Sequence, residues 1–331
     1  MVGRCLGLQE LRVRVRVGCF RVSLATTSKG RWHIPHASYS VADTYNTLPK
    51  RHYYTFAISR ELPDSFTDAL SAHHDDTSTA PVSIKVAREQ HTQYLKTLRE
   101  HVPTLCLPKL EGHPDSVFVE DTVVAVGKRA VITNPGHPTR RGEVESIRNV
   151  LLQLGMDVLD MKPKHEHTGV EDPICDGGDV LYTGRHMFVG MSHRTNQAAV
   201  SVLLDAFEGI VEIIPVPAVV QGTNVLHLKS AATHIDENTL LVPEGDIGDT
   251  LLQLLDAEKR GYTAIRIPDI LACNAVAVNN HILACDTPCQ RSRKSLVQAA
   301  NDRNLGLSFV NASELAKKDA ALTCCSVLLS L

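Results

Sequence analysis

No stretch of this 331-residue chain approaches the roughly 20 consecutive apolar residues that a membrane helix requires, so no membrane span is expected. Positive charge is not in excess either. Lys and Arg total 34 against 37 Asp and Glu, which is not the electrostatic footprint of a nucleic-acid binder. Nine cysteines form no Cys-x-x-Cys pair and are odd in number, which argues against a disulfide framework and a zinc ribbon and for a reduced, cytoplasmic setting. His281, Cys285 and Cys289 recur every four residues, but the runs Val276-Ala-Val278 and His281-Ile-Leu-Ala284 are strand-like, which would scatter those side chains. Aromatic residues are 5% and apolar residues 43% of the chain, a composition expected of a soluble protein with one large domain or two small ones.

The charge is unevenly spread. Residues 1–42 carry seven basic residues (Arg4, Arg12, Arg14, Arg16, Arg21, Lys29, Arg31) and one acid, Glu10. An Arg-rich, acid-poor start is similar to an organelle transit peptide, yet residues 11–17 alternate with period two rather than with the period of an amphipathic helix. No clean apolar segment follows the basic residues, which disfavours a secretory signal. Residues 1–52 are therefore expected to be a basic extension, disordered or targeting, with a mitochondrial address as the alternative to the cytoplasm. Residues 53–331 are expected to form one domain.

Within that domain a pattern recurs: a helix, a stop residue and a short apolar strand. Residues 141–154 place Val144, Ile147, Val150, Leu151 and Leu154 at helical spacing, Gly155 stands where a left-handed residue is wanted, and a strand over 156–159 follows. The same order returns over 195–208 with Gly209, over 249–260 with Gly261, and over 287–305 with Gly306. Residues 82–101 leading into 105–107 are a variant without the glycine. The stop glycines lie 54, 52 and 45 residues apart, a loose period.

After each post-helix strand comes a short polar cluster and then an apolar hairpin. The clusters are residues 115–121, Asp176-Gly-Gly-Asp179, His227-Leu-Lys229, Cys273-Asn274 and Thr323-Cys-Cys-Ser326. The first two hairpins turn at Gly127-Lys128 and Gly184-Arg185 and are β-rich in composition. Residues 323–329 lack a following hairpin strand, so residues 53–59 are expected to close a ring with them. In a closed ring of repeats, equivalent positions converge on the axis.

That axis would carry Asp115, Glu120, Asp121, Asp176, Asp179, His227 and Cys324. Desolvated carboxylates are costly without a cation, so the excess of acid invites a cationic ligand with paired N–H donors, and a guanidinium has that geometry. The same carboxylates raise a thiol's pKa above its ordinary value of about 8.5. A bound guanidinium would reverse that field and help to create the thiolate that attacks it.

Asp115-Ser-Val-Phe-Val-Glu-Asp121, Ile132-Thr-Asn-Pro-Gly136 with Arg140-Arg141, Asp176-Gly-Gly-Asp-Val-Leu-Tyr-Thr-Gly-Arg185, Arg194-Thr-Asn-Gln197, Leu226-His-Leu-Lys-Ser230 and Leu322-Thr-Cys-Cys-Ser-Val327 resemble, in order, the motifs of the dimethylarginine dimethylaminohydrolase family. The resemblance spans about residues 53–331. It implies an α/β fold, the five-bladed α/β propeller of pseudo-symmetric ββαβ repeats, in agreement with the repeat count. It further implies hydrolysis of asymmetric dimethylarginine and monomethylarginine to citrulline through an S-alkylthiouronium intermediate, with no required cofactor.

By position, the resemblance makes Cys324 rather than Cys325 the nucleophile and His227 the general acid and base. Asp121 and Asp176 hold the guanidinium nitrogens with Glu120 and Asp115 near the same end, while Arg140 and Arg194 take the α-carboxylate. Leu70 aligns with a flap residue, and Lys318, at a position usually apolar in the family, makes contact through its backbone carbonyl. Cys324 beside His227 is also the expected point of attachment of an inhibitory zinc ion. Asn134 replaces a more familiar basic residue, and loops over 164–175 and 216–225 are expected to be longer than usual. His227-Leu-Lys229 departs from the His-x-Asp pattern of arginine deiminases. The expected partner is a small methylated arginine, and the expected assembly a monomer or weak homodimer. An arginine deiminase-like hydrolase and a non-catalytic binder of arginine derivatives are the alternatives.

Overall fold

A computed structural model describes residues 12–17, 20–26, 32–33, 53–71, 80–161, 171–217 and 226–331. The chain divides into two compact units, Met1–Lys50 and Arg51–Leu331. In the first, the strands Arg12–Val17, Phe20–Thr26 and Trp32–His33 form an antiparallel sheet. The period-two alternation is thus a strand over Arg12–Val17, while the rest of the segment expected to be disordered or targeting, apart from the other two strands, lies outside the described residues. The expected long loops fall largely at 162–170 and 218–225, and most of the flap at 72–79, also outside them.

The second unit repeats one module five times. Each module has an antiparallel hairpin, a helix, and a third strand parallel to the second. In the first blade these are Val123–Val126, Arg129–Ile132, the helix Val144–Gln153 and Asp157–Asp160. The second uses Val180–Tyr182, His186–Gly190, Gln197–Ala206 and Glu212–Val216. The third uses Thr233–Asp236, Thr239–Pro243, Asp246–Leu254 and Thr263–Ile267. The fourth uses Ala275–Val278, His281–Cys285, Gln290–Asp302 and Gly306–Val310. A crossover helix is what lets the second and third strands run parallel. Each of the five apolar clusters packs the helix and sheet of one blade against the sheet of its neighbour, which makes the second unit a ring of small cores.

The fifth blade joins the two ends of this unit. Val327–Leu329 pairs antiparallel with Phe56–Arg60, which pairs parallel with Thr104–Leu107 across the helix Ile84–Arg99. The expected closure by residues 53–59 is therefore the observed one. It is reinforced by Ser59 Oγ donating to the Cys325 carbonyl at 2.7 Å and by the buried Tyr94 hydroxyl 2.7 Å from Ser326 Oγ. Closure thus fixes the backbone on both sides of the Thr323-Cys-Cys-Ser cluster.

Two helix ends differ from expectation. Gly155 has φ 74°, the left-handed stop that the pattern requires. The fourth helix instead ends through Asn304 at φ 52°, and Gly306 already lies in the third strand. A Cβ on Gly306 would lie 2.1 Å from His281 Nδ1, so that glycine serves close approach rather than chain reversal. The third helix stops at Leu254 with Asp256 left-handed, before Gly261.

Ile58 is fully buried in the strand that closes the ring, within the same cluster as Val327 and Leu329. Ile58→Ala is expected to lower unfolding stability by about 2–5 kcal/mol, measured by urea denaturation against the wild type.

Candidate active site

Each polar cluster of the sequence sits on the same local element, a single helical turn just before the first strand of a blade. These turns are Val119–Thr122, Gly177–Asp179, Leu228–Ala231, Ile270–Cys273 and Thr323–Cys325. Short turns leave the side chains and N–H groups at their ends pointing out of the regular ladder, and neighbouring turns contact one another about the axis. Five equivalent positions thereby deliver residues far apart in sequence to one place.

The turns of the first, second, third and fifth blades, with the residues flanking them, border a cavity of about 250 Å³. Leu70, Asp115, Asp121, Arg140, Asp176, Arg194, His227, Lys318 and Cys324 all line it. Glu120 does not; it lines an adjoining cavity of about 130 Å³. Phe118 and Leu226, both inside the family-like motifs but given no role, also line the first cavity, as do His137, His193 and Asp319, which nothing in their local sequence singled out.

The Asp176-Gly-Gly-Asp179 segment is shaped by close approach. A Cβ on Gly177 would stand 2.1 Å from the Glu120 carbonyl oxygen, and one on Gly178 would stand 2.8 Å from His227 Nδ1. With no side chain in the way, the Gly178 N–H donates to Asp121 Oδ1 at 2.8 Å. Asp176 Oδ1 accepts the Gly136 N–H at 2.8 Å, and its Oδ2 lies 3.1 Å from His227 Nε2. Asp179, read from the sequence as lining the axis, is not in the cavity wall. It accepts Ser192 Oγ at 2.6 Å, Thr195 Oγ1 at 2.7 Å and the Leu228 N–H at 3.0 Å, and so fixes the turn that begins at His227. Asn134 donates to the Pro173 carbonyl at 2.8 Å and steadies the approach to Asp176.

Charge sets the protonation of this cluster. Burial lowers the pKa of His227, but the carboxylates of Asp121, Asp176 and Asp179 outweigh it and lift the imidazole to about 9, so His227 is cationic at neutral pH. Burial raises Asp121, whereas Arg140, His227 and the Gly178 N–H together hold it down at about 2. Burial, then the charges of Glu120 and Asp121, push the Cys324 thiol well above its ordinary range. Cys324 is half-buried and lines the cavity, while Cys325 is fully buried with its sulfur toward the Ala321 carbonyl.

Arg140 is committed more heavily than its sequence context indicated. Its guanidinium donates to Asp121 Oδ2 at 2.6 Å, to Glu143 Oε2 at 2.9 Å and to the Phe118 carbonyl at 3.1 Å. Glu143, three residues on, went unremarked in the sequence although that spacing allows the pair. Arg194, by contrast, has a buried Nη1 with no hydrogen-bond partner. Leu70 and Lys318 meet at the base of the flap: Asp115 Oδ1 accepts the Leu70 N–H at 3.0 Å, and Lys318 Nζ donates to the Ala69 carbonyl at 2.9 Å.

Among the described residues the one group with metal-ligand spacing is Asp121, Asp176 and His227, and it excludes Cys324. Its acceptors are already taken by Arg140, by two backbone N–H groups and by a protonated imidazole, an acid–base set rather than a preformed zinc site for the thiol.

A family described as N,N dimethylarginine dimethylhydrolase, eukaryotic, matches residues 63–301. N(G),N(G)-dimethylarginine dimethylaminohydrolase of Streptomyces coelicolor is 30% identical over 249 residues, covering 74% of this chain and 86% of that protein. The protein of the same name from Pseudomonas aeruginosa is 28% identical over 278 residues, covering 82% and 97%. A solved structure of the Pseudomonas aeruginosa protein, a cysteine-to-serine mutant complexed with citrulline, superposes with a TM-score of 0.70 at 26% identity over 84% of this chain and 100% of that one.

The electrostatic account predicts an imidazole signal that titrates near pH 9 by NMR and disappears in His227→Gln. In Asp121→Asn it should titrate closer to the ordinary value, because the strongest of the carboxylate charges that hold the proton is gone. Since the folded-state pKa is the raised one, the stabilisation that His227 contributes is complete below pH about 6.5 and is lost as pH rises through about 9.

Proposed function

The chain belongs to the dimethylarginine dimethylaminohydrolase family of hydrolases, and from that premise we propose that it converts asymmetric dimethylarginine and monomethylarginine to citrulline, releasing dimethylamine or methylamine. One observation carries the reading: a single cavity joins buried carboxylates to a buried Arg194 Nη1 that lacks a partner. A ligand that satisfies both is a cation at one end and an anion at the other, as an α-amino acid with a guanidinium side chain is.

In this reading Asp121 and Asp176 accept N–H bonds from the guanidinium, and Arg194 meets the α-carboxylate. Arg140 shares the carboxylate only with the donor capacity left by Asp121 and Glu143. Leu70 and the backbone at Lys318 close over the amino-acid end, and Asp115, expected near the guanidinium end, instead serves to hold Leu70 through its N–H. Arrival of the cation offsets the negative field at Cys324, and the thiol proton leaves to solvent.

The thiolate then attacks the guanidinium carbon. The C–N bond to the methylated nitrogen breaks as His227 delivers its proton to the departing amine, leaving the S-alkylthiouronium. Neutral His227 next takes a proton from water as the water oxygen adds to the same carbon. The C–S bond breaks, the thiolate departs, and citrulline is formed. An imidazole already protonated at rest suits the first step, and its carboxylate neighbours support the return of the proton in the second.

Citrulline formation from asymmetric dimethylarginine and from arginine, measured side by side, tests the reading. Turnover is expected with the methylated substrate, and Cys324→Ser is expected to lower it by at least about 1000-fold. Preferential release of ammonia from arginine would move the protein to the deiminases, and turnover of neither would favour a binding protein.

A further inference from the structure

The turn of the fourth blade, with Asn274 at its end, contributes nothing to the cavity that Cys324 lines, and the proposed reaction gives it no task. Yet Asn274 is 1% exposed and both polar atoms of its amide are engaged. Its orientation follows from elementary chemistry, because a backbone N–H only donates and a carbonyl only accepts. Oδ1 accepts the Thr323 N–H at 3.1 Å, while Nδ2 donates to the Lys229 carbonyl at 3.0 Å and to Thr323 Oγ1 at 3.0 Å.

The Thr323 hydroxyl, already accepting from Asn274, directs its own proton to Glu120 Oε2 at 3.1 Å. Glu120 Oε1 in turn pairs with Lys229 Nζ at 2.8 Å. The circuit closes through the Lys229 carbonyl, so residues from the turns of the fourth, fifth, first and third blades form one ring of hydrogen bonds. Glu120, Lys229 and Thr323 line the smaller cavity, whereas Cys324, the very next residue, lines the larger one. The ring is the floor between them.

We propose that Asn274 is a positioning residue for the nucleophile: holding both the N–H and the hydroxyl of Thr323, it fixes the backbone from which Cys324 enters the cavity and keeps Glu120 paired with Lys229. Both effects reach the sulfur from beneath. Glu120 pushes the thiol pKa up and Lys229 pulls it down, so the hydrogen bonds that hold the pair together govern the negative field that the substrate cation must overcome. The inference rests on Cys324 being the nucleophile, as proposed above.

Two near-isosteric variants test it. Thr323→Val deletes the hydroxyl. Asn274→Asp keeps an acceptor for the Thr323 N–H but turns a carboxylate oxygen toward the Lys229 carbonyl. Steady-state turnover is read together with the pH midpoint of Cys324 alkylation by iodoacetamide, followed by mass spectrometry of the Cys324 peptide. In both variants kcat is expected to fall by about 10- to 100-fold with KM within about threefold of wild type. In Asn274→Asp the alkylation midpoint should also rise by about one pH unit, since a further negative charge joins Glu120. Thr323→Ser, which restores the hydroxyl, should return kcat to the wild-type value.

A purely structural role would lower thermal stability without moving the alkylation midpoint or separating kcat from KM. Folded variants with kcat within about twofold of wild type and an unmoved midpoint overturn the proposal; if Asn274→Asp does not fold, Thr323→Val and Thr323→Ser decide it. A wild-type protein that leaves methylated arginine untouched would refute the proposed function, whereas the alkylation midpoints would still decide this inference.

Discussion

The structure is organised around the burial of acid beside a thiol. Asp115, Glu120, Asp121 and Asp176 are each 8% exposed or less, and an isolated buried carboxylate is not tolerated without a partner. Each therefore has one. Arg140 answers Asp121, Lys229 answers Glu120, His227 answers Asp176, and the Leu70 N–H answers Asp115. Those partners come from different blades and from the flap base, so satisfying the acids also ties the ring together. The thiol of Cys324 is what this arrangement leaves neutral, and a cationic ligand is what changes it.

Pseudo-symmetry explains how a chain with ordinary composition assembles such a site. Every blade repeats the same short turn at the same place, and each repetition has been put to separate use. The first supplies acids, the second an acid and glycine backbone, the third an imidazole and an ammonium, and the fifth the thiol of Cys324. The fourth supplies an amide that makes no contact with the cavity and instead fastens its neighbours. Ring closure by Phe56–Arg60 matters for the same reason, because it is the strand with which Val327–Leu329, just after Cys324, pairs. Membership of the dimethylarginine dimethylaminohydrolase family agrees with this architecture, and the solved relative with citrulline shares it over its whole length.

Much of this was legible in the sequence because its signals are local. Helical spacing from Val144 to Leu154, the alternating hairpins, and the polar clusters at corresponding places in each repeat lead to five blades and a converging axis. Partner choice was not legible, because it is decided in three dimensions. Asp179 reads like Asp176 in Asp176-Gly-Gly-Asp179, yet one faces the cavity and the other braces the His227 turn. Arg140 reads as an anion ligand until Glu143 and two carbonyls are seen to occupy much of it. Glycine was over-read as a helix stop at Gly306, where packing against His281 is the reason for the missing side chain. His137 and His193 gave no signal, since single histidines outside a motif carry none.

Ligand control of the Cys324 thiol is the claim on which the proposed function stands. It is measured most directly by the ultraviolet absorbance of the Cys324 thiolate, isolated as the difference between wild type and Cys324→Ser and titrated against pH with and without methylguanidinium. A planar cation between Asp121 and Asp176 should lower the apparent thiol pKa by about one unit or more. A titration that methylguanidinium leaves in place, or shifts to higher pH, contradicts the account.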